Sequence, residues 1–306
     1  MAAAADIAEI GLGPAEETLL DHAPYAPFME ARTARPPGLM PLAGEPLIVV
    51  LPDYAAQMAR RERLLAARPE LVLACPDDAL PAARELAGVV TGEAEAAGFR
   101  REGRLWHRPD GRTVAEDPGA PLAFLGRLTA EDWCLMLPDP ASGEYRLAGA
   151  VLCFPSRWSL AEKMGRPLTA IHDPVPDYDA TLARRVNRVF EALKPGRGVW
   201  RVNWLVHPSP EPHLPLTVEE KGTPLAMEDG RLYLRTERQT LVRLPETGAV
   251  SFGIKTSICP LEALTPEQAA ALAREVRALE PATIAYRSGG DIHARALEVL
   301  ESQAAG

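Results

Sequence analysis

Six histidines are distributed along the chain: His22, His107, His172, His207, His213 and His293. No two are spaced like a helix-borne zinc pair. His172 stands out because of its setting, Ile171-His172-Asp173-Pro174-Val175-Pro176-Asp177-Tyr178. Two prolines within three residues fix the backbone and exclude a helix through them. A cofactor ligand needs a fixed direction, and such a loop supplies one. A neutral imidazole is a good axial ligand for haem iron when a hydrogen bond orients its other nitrogen. The alternative is a loop histidine bonded to backbone. His207 and His213 flank the Pro-rich run Pro208-Ser209-Pro210-Glu211-Pro212 and could join a metal site only with a carboxylate partner supplied by the fold.

A second group of residues sits on one extended segment: Arg235, Glu237, Arg238, Gln239 and Arg243. In a strand, Arg235 and Arg243 share a face and Arg238 takes the other. An arginine on an inward face must find an anion. Glu237 has the wrong parity to serve Arg238. A haem propionate would serve through bidentate bonds, and so would a protein carboxylate. Arg201 and Asn203 raise the same alternatives on their own strand.

Other chemistries lack their motifs. There is no GxGxxG, Walker A loop, GxSxG elbow or HExxH. The four cysteines, Cys75, Cys134, Cys153 and Cys259, form no CxxC pair. They are expected to be buried thiols, so this chain would not hold an iron–sulfur cluster by itself. A formal charge of -9 argues against nucleic-acid binding and against anionic membranes. No apolar run approaches the ~20 residues that cross a bilayer. The N-terminal residues lack the basic segment of a secretory signal, so a cytoplasmic protein is expected.

The elements that must position these residues follow from periodicity. Asp53 is expected to cap a helix through Tyr54, Met58 and Leu65, with Arg60, Arg61 and Arg63 as a solvated basic patch. A second helix is expected over Asp78 to Val90. Near Asp132 the texture changes. Trp133–Leu137, the turn around Asp139-Pro140-Ala141-Ser142-Gly143, and Tyr145–Phe154 form a hairpin. Ser159 opens a short helix, and Asp179 caps a longer one through Leu182, Val186, Val189, Phe190 and Leu193. Three extended segments follow: Val199–Val206, Arg231–Leu244 and Ala249–Cys259. Trp200, Val202, Trp204 and Val206 point one way, and Arg201, Asn203, Leu205 and His207 the other. Thr265-Pro266-Glu267-Gln268 is a capping box, and a last helix starts at Gly289-Gly290-Asp291. The pattern is α+β: an antiparallel sheet with helices on one face, plus helical N- and C-terminal segments. The expected division is an N-terminal segment over 1–130, a core over 131–262 and C-terminal helices over 263–306.

These stretches resemble the haem-dependent oxidative N-demethylase α-subunit-like family. The resemblance is carried by Leu152-Cys153-Phe154-Pro155-Ser156-Arg157-Trp158-Ser159-Leu160, Lys163-Met164-Gly165-Arg166-Pro167-Leu168 and the His172 segment. It continues through Val186-Asn187-Arg188-Val189-Phe190, Trp200-Arg201-Val202-Asn203-Trp204, Arg235-Thr236-Glu237-Arg238-Gln239-Thr240-Leu241 and Leu244-Pro245-Glu246-Thr247-Gly248. It runs from about Tyr54 to the final helix. The resemblance implies a PAS-like sheet that binds haem b. It implies oxidation of a small secondary methylamine, such as dimethylamine, by molecular oxygen. It also implies separate reductase subunits carrying flavin and an iron–sulfur cluster; a non-catalytic haem sensor or storage module is the alternative. Carried over, His172 becomes the expected axial ligand, with His207, Cys153 or Cys259 as runners-up. Arg238, Arg201 and Asn203 become cofactor contacts. Asp177 and Tyr178 become the expected partners of a protonated amine.

Overall fold

The computed structural model describes residues 10–172, 180–216, 227, 230–287 and 289–305, with only the backbone for 180–185 and 287. The fold is mixed α+β. In chain order the strands are β1 (Met40–Pro41), β2 (Leu73–Ala74), β3 (Arg100–Glu102), β4 (Leu105–His107), β5 (Thr113–Ala115), β6 (Asp132–Asp139), β7 (Glu144–Val151), β8 (Val199–His207), β9 (Tyr233–Arg243) and β10 (Val250–Pro260). The longer helices are α1 (Tyr54–Ala67), α2 (Leu80–Ala94), α3 (Pro121–Leu128), α4 (Ala180–Ala192), α5 (Pro266–Arg277) and α6 (Gly290–Ala304).

One seven-stranded antiparallel sheet runs β1-β8-β9-β10-β6-β7-β2, and β3–β5 form a small sheet apart. The five long strands therefore lie in the order second, first, fifth, fourth, third, the PAS-like arrangement that the resemblance implies. The β9–β10 hairpin closes through the turn after Leu244, where Gly248 adopts φ 69°. The Glu85 carboxylate accepts from the Glu246 and Thr247 amides at 2.6 and 2.8 Å and pins that turn to α2.

Strand alternation sorts the core. Trp133 and Leu135 pack with α1, α2 and α3, together with Met58, Leu65, Leu86 and Phe124. Trp204, Val206, Leu234 and Cys259 lie on the same face further along the sheet. There they meet α5 and α6 through Leu272, Val276, Ile292 and Leu300. Phe28 caps this cluster edge-on to Trp204, with ring centroids 6.1 Å apart. The opposite face carries Cys134, Met136, Leu241 and Val250, covered by Leu160, Leu168 and Phe190 from the short helices Leu160–Lys163 and Leu168–His172 and from α4. Helices α1, α2, α3, α5 and α6 thus occupy one face, and α4 with the two short helices covers one end of the other.

Two local expectations change. Asp53 precedes α1 but makes no capping bond. Its carboxylate sits 3.2 Å from Lys255 Nζ, with both side chains fully buried. A charged partner in the core outbids the helix end for that carboxylate. The basic patch of α1 is solvated only at Arg63, which is exposed; Arg60 and Arg61 are buried. Arg61 Nη1 bonds Asp132 at 2.6 Å, and its other donors reach the Gly126 and Glu131 carbonyls. Arg60 pairs with Glu211 and donates to the Gly13 carbonyl at 2.8 Å. Arg61 and Asp132 also position the chain downstream: Asp132 accepts from the Cys153 and Phe154 amides at 2.7 and 2.9 Å.

Among the described residues no helix is long and apolar enough to cross a membrane.

Candidate functional site

The face opposite the long helices carries a band of polar side chains across three strands. Register places Asn203, Glu237 and Thr256 in one row. Arg201, Gln239 and Ile254 form the row on one side; Leu205, Arg235 and Ile258 form the row on the other. Glu237 is the centre of this band. Its Oε2 accepts from Gln239 Nε2 at 3.0 Å and lies 3.5 Å from Asn203 Nδ2. Its Oε1 lies 3.5 Å from Arg235 Nε.

Arg235 is buried and works as a clamp. Its Nη1 donates to the Pro212 carbonyl at 3.0 Å and its Nη2 to the Phe154 carbonyl at 2.7 Å. It thereby ties the sheet to the Pro-rich loop and to the segment after β7. Burial lowers its pKa, with Glu237 opposing.

His172 ends the short helix Leu168–His172. Its Nδ1 lies 2.9 Å from the Leu168 carbonyl oxygen. A carbonyl only accepts, so Nδ1 carries the proton and Nε2 carries the lone pair. Burial holds the ring at a pKa of about 4, and the charges of Lys163 and Arg201 push it the same way. The imidazole is therefore neutral at physiological pH, and Arg201 is electrostatically coupled to it. A neutral imidazole with Nδ1–H held by a backbone carbonyl is the form that ligates metals.

His207 is the other buried imidazole on this face. Its Nδ1 lies 3.1 Å from the Ser209 amide nitrogen and 3.3 Å from the Ser209 carbonyl oxygen. Its Nε2 has no hydrogen-bond partner among the described residues. Burial, then the charge of Arg235, depresses it to about 3. His213 Nδ1 is bonded to the Cys153 carbonyl at 2.7 Å, a structural contact.

The remaining expected residues separate from this band. Arg238 lies on the opposite face, as its parity requires. Its Nη2 donates to the Pro46 carbonyl at 2.6 Å, Glu45 is 3.8 Å away, and the guanidinium stacks 5.0 Å from the Trp200 ring. The structure thus does not bring it to Arg201 and Asn203. Cys153 and Cys259 are packed on the long-helix side, and burial pushes both thiols up to about 12. Neither is a thiolate at neutral pH. Asp177 and Tyr178 lie outside the described residues. Arg243, grouped with this band by sequence, instead bonds the Leu193 and Phe190 carbonyls at the end of α4. Among the described residues no three His, Cys, Asp or Glu side chains converge on a metal-sized site.

Glu237 and Gln239 are band members that the sequence groups with the arginines without giving them a role of their own. Strand parity places them beside Arg235, but only the β8–β9 register shows that Glu237 faces Asn203.

The chain is a mixed α+β protein whose antiparallel sheet is covered by helices on one face and carries a polar band on the other. The model of one family, "Haem-dependent oxidative N-demethylase, alpha subunit-like", matches residues 38–297. The chain belongs to this family. The description implies a haem-dependent oxidative demethylase and, through "alpha subunit", an assembly of several subunits.

The residues present fit a haem. His172 presents a neutral imidazole in a fixed tautomer. Arg201 is a positive charge electrostatically coupled to it, and Leu205, Ile254 and Phe252 supply apolar surface on the face that carries Arg201.

Proposed function

We propose that this chain is the haem b-binding catalytic subunit of an oxidative N-demethylase acting on a small secondary methylamine of the dimethylamine type. The balanced reaction joins the amine, one O2, two electrons and two protons to give the primary amine, formaldehyde and water. The electrons come from separate reductase subunits carrying flavin and an iron–sulfur cluster. Bound haem supplies oxygen activation and the oxidation of the N-methyl group.

The chain's own residues bind and orient. His172 would hold the iron, with the Leu168 carbonyl keeping its proton on Nδ1. Arg201 would pair with a propionate, and Asn203 is its neighbour two residues along the same strand face. Arg238 has no part in the haem contacts, because its guanidinium is committed on the other face. Asp177 and Tyr178 follow His172 closely in sequence and are proposed to border the amine.

The observation that carries the proposal is His172 held in one tautomer by the Leu168 carbonyl, within a chain of this family. The test is two measurements on protein expressed with ample haem. A Soret band is expected, and formaldehyde release from dimethylamine with oxygen and an electron donor is expected. A Soret band without formaldehyde would make this a sensor or storage module. No Soret band would end the proposal.

A further inference from the structure

We infer that Glu237 is the carboxylate that recognises the substrate's ammonium group, and that it favours secondary over tertiary and quaternary ammonium ions by counting N–H donors. The inference rests on the demethylase reading and deepens it.

Glu237 sits at mid-strand, 8 % exposed, in the central row of the polar band. A carboxylate has about four acceptor positions. Among the described residues its shortest bond is from Gln239 Nε2, at 3.0 Å. The approaches of Asn203 Nδ2 and Arg235 Nε are both 3.5 Å, well beyond the ~2.8 Å of a charge-assisted bond. Arg235 is the buried counter-charge of this carboxylate, but at that long distance and through Nε alone, because its Nη groups are turned to the Pro212 and Phe154 carbonyls. Glu237 therefore retains acceptor capacity beside a long ion pair, in a setting where an unused acceptor is costly.

The neighbours suit a small methylated cation. The two amide NH2 groups aim at Glu237, which leaves the carbonyl oxygens of Asn203 and Gln239 as further acceptors. Ile254 and Leu205 lie in the flanking rows as surface for methyl groups. Asn203 also borders a cleft of about 280 Å³ along the outer edge of β8, between the Thr33–Gly38 turn and the Glu275–Thr283 segment. Solvent thus comes within one residue of the carboxylate.

A secondary ammonium has two N–H donors, a tertiary one and a quaternary none. A carboxylate grip ranks them in that order. An aromatic cage, which recognises charge without donors, accepts the quaternary ion as well.

The test is calorimetric titration of haem-loaded, ferric protein, without an electron donor, using dimethyl-, trimethyl- and tetramethylammonium chloride. Wild type is expected to bind dimethylammonium, to bind trimethylammonium about tenfold more weakly, and to show no heat with tetramethylammonium. Glu237→Gln is expected to keep the Soret band and lose about tenfold to a hundredfold in dimethylammonium affinity, the worth of one charged hydrogen bond. Should that variant not fold, the wild-type series decides alone.

Equal affinity in Glu237→Gln overturns the inference, as does tetramethylammonium binding as tightly as dimethylammonium. So does a loss seen in Asp177→Asn but not in Glu237→Gln. Each of these leaves the demethylase reading standing. No binding of any of the three ions, with the Soret band present, removes both Glu237's role and the amine as substrate.

Discussion

The Nδ1 nitrogen of His172 lies 2.9 Å from the carbonyl oxygen of Leu168, one helical turn earlier. That bond makes the ring a neutral Nδ1–H tautomer and fixes its direction, so the loss of this side chain should act on the haem and not on the fold. His172→Ala is expected to lose the wild-type Soret band while its far-ultraviolet circular dichroism stays unchanged. An unaltered Soret band would move the ligand elsewhere, and His207 is the next imidazole on that face.

Acid should destabilise the protein through its buried histidines. His207 titrates at about 3 in the folded state, against about 6.5 unfolded, and burial lowers His213 as well. Above pH 6.5 neither state is charged at these rings, and they contribute no pH dependence. Between about 6.5 and 3 the unfolded chain takes up a proton at His207 that the folded chain refuses. Stability therefore falls as pH falls through that window, by up to about 1.4 kcal/mol per pH unit for His207, and His213 acts in the same direction. Urea midpoints from pH 7 to pH 4 should show a shallower slope in His207→Gln than in wild type.

Lys255 and Asp53 form an ion pair inside the long-helix side of the sheet, joined by Gln57 at 3.1 Å from Lys255 Nζ. Burial raises the Asp53 pKa, and Lys255 opposes the shift. Lys255→Met alone leaves a buried carboxylate without its cation, and a loss of about 3–5 kcal/mol in urea unfolding is expected. Adding Asp53→Leu removes the orphaned charge and should recover part of that loss. A double variant as unstable as the sum of the single ones would mean that the pair is not coupled.

How much of this was legible depends on range. The alternation Trp200, Val202, Trp204, Val206 against Arg201, Asn203, Leu205, His207 gave both faces of β8, because a strand's period of two is local. The same parity put Arg238 on the far side from Arg235. It did not show what Arg238 meets: the Pro46 carbonyl and the Trp200 ring come from distant segments. The basic run Arg60, Arg61 and Arg63 looked solvated because its partners, Asp132 and Glu211, are 71 and 151 residues away in sequence. From sequence alone Glu237 is weighed only as a partner for Arg238, for the same reason. Its meaning depends on β8–β9 register, which no single segment encodes.

Gly253 carries the last prediction. It lies opposite both Thr240 and Trp133 across two ladders of the sheet. A Cβ there would sit 2.6 Å from Trp133 Cζ3 and 2.7 Å from Thr240 Oγ1. The indole cannot easily withdraw, because its Nε1 donates to Thr129 Oγ1 at 2.9 Å and the ring is buried against the helices. One added methyl therefore overpacks a filled layer, and Gly253→Ala should cost about 1–3 kcal/mol or more in urea unfolding. Shrinking the partners tests the cause. Trp133→Leu is destabilising alone, since it opens a cavity. In the Gly253→Ala background its cost should be smaller than in wild type, because the cavity accepts the new methyl. Equal costs in both backgrounds would show that the glycine is required for something other than the approach of the indole.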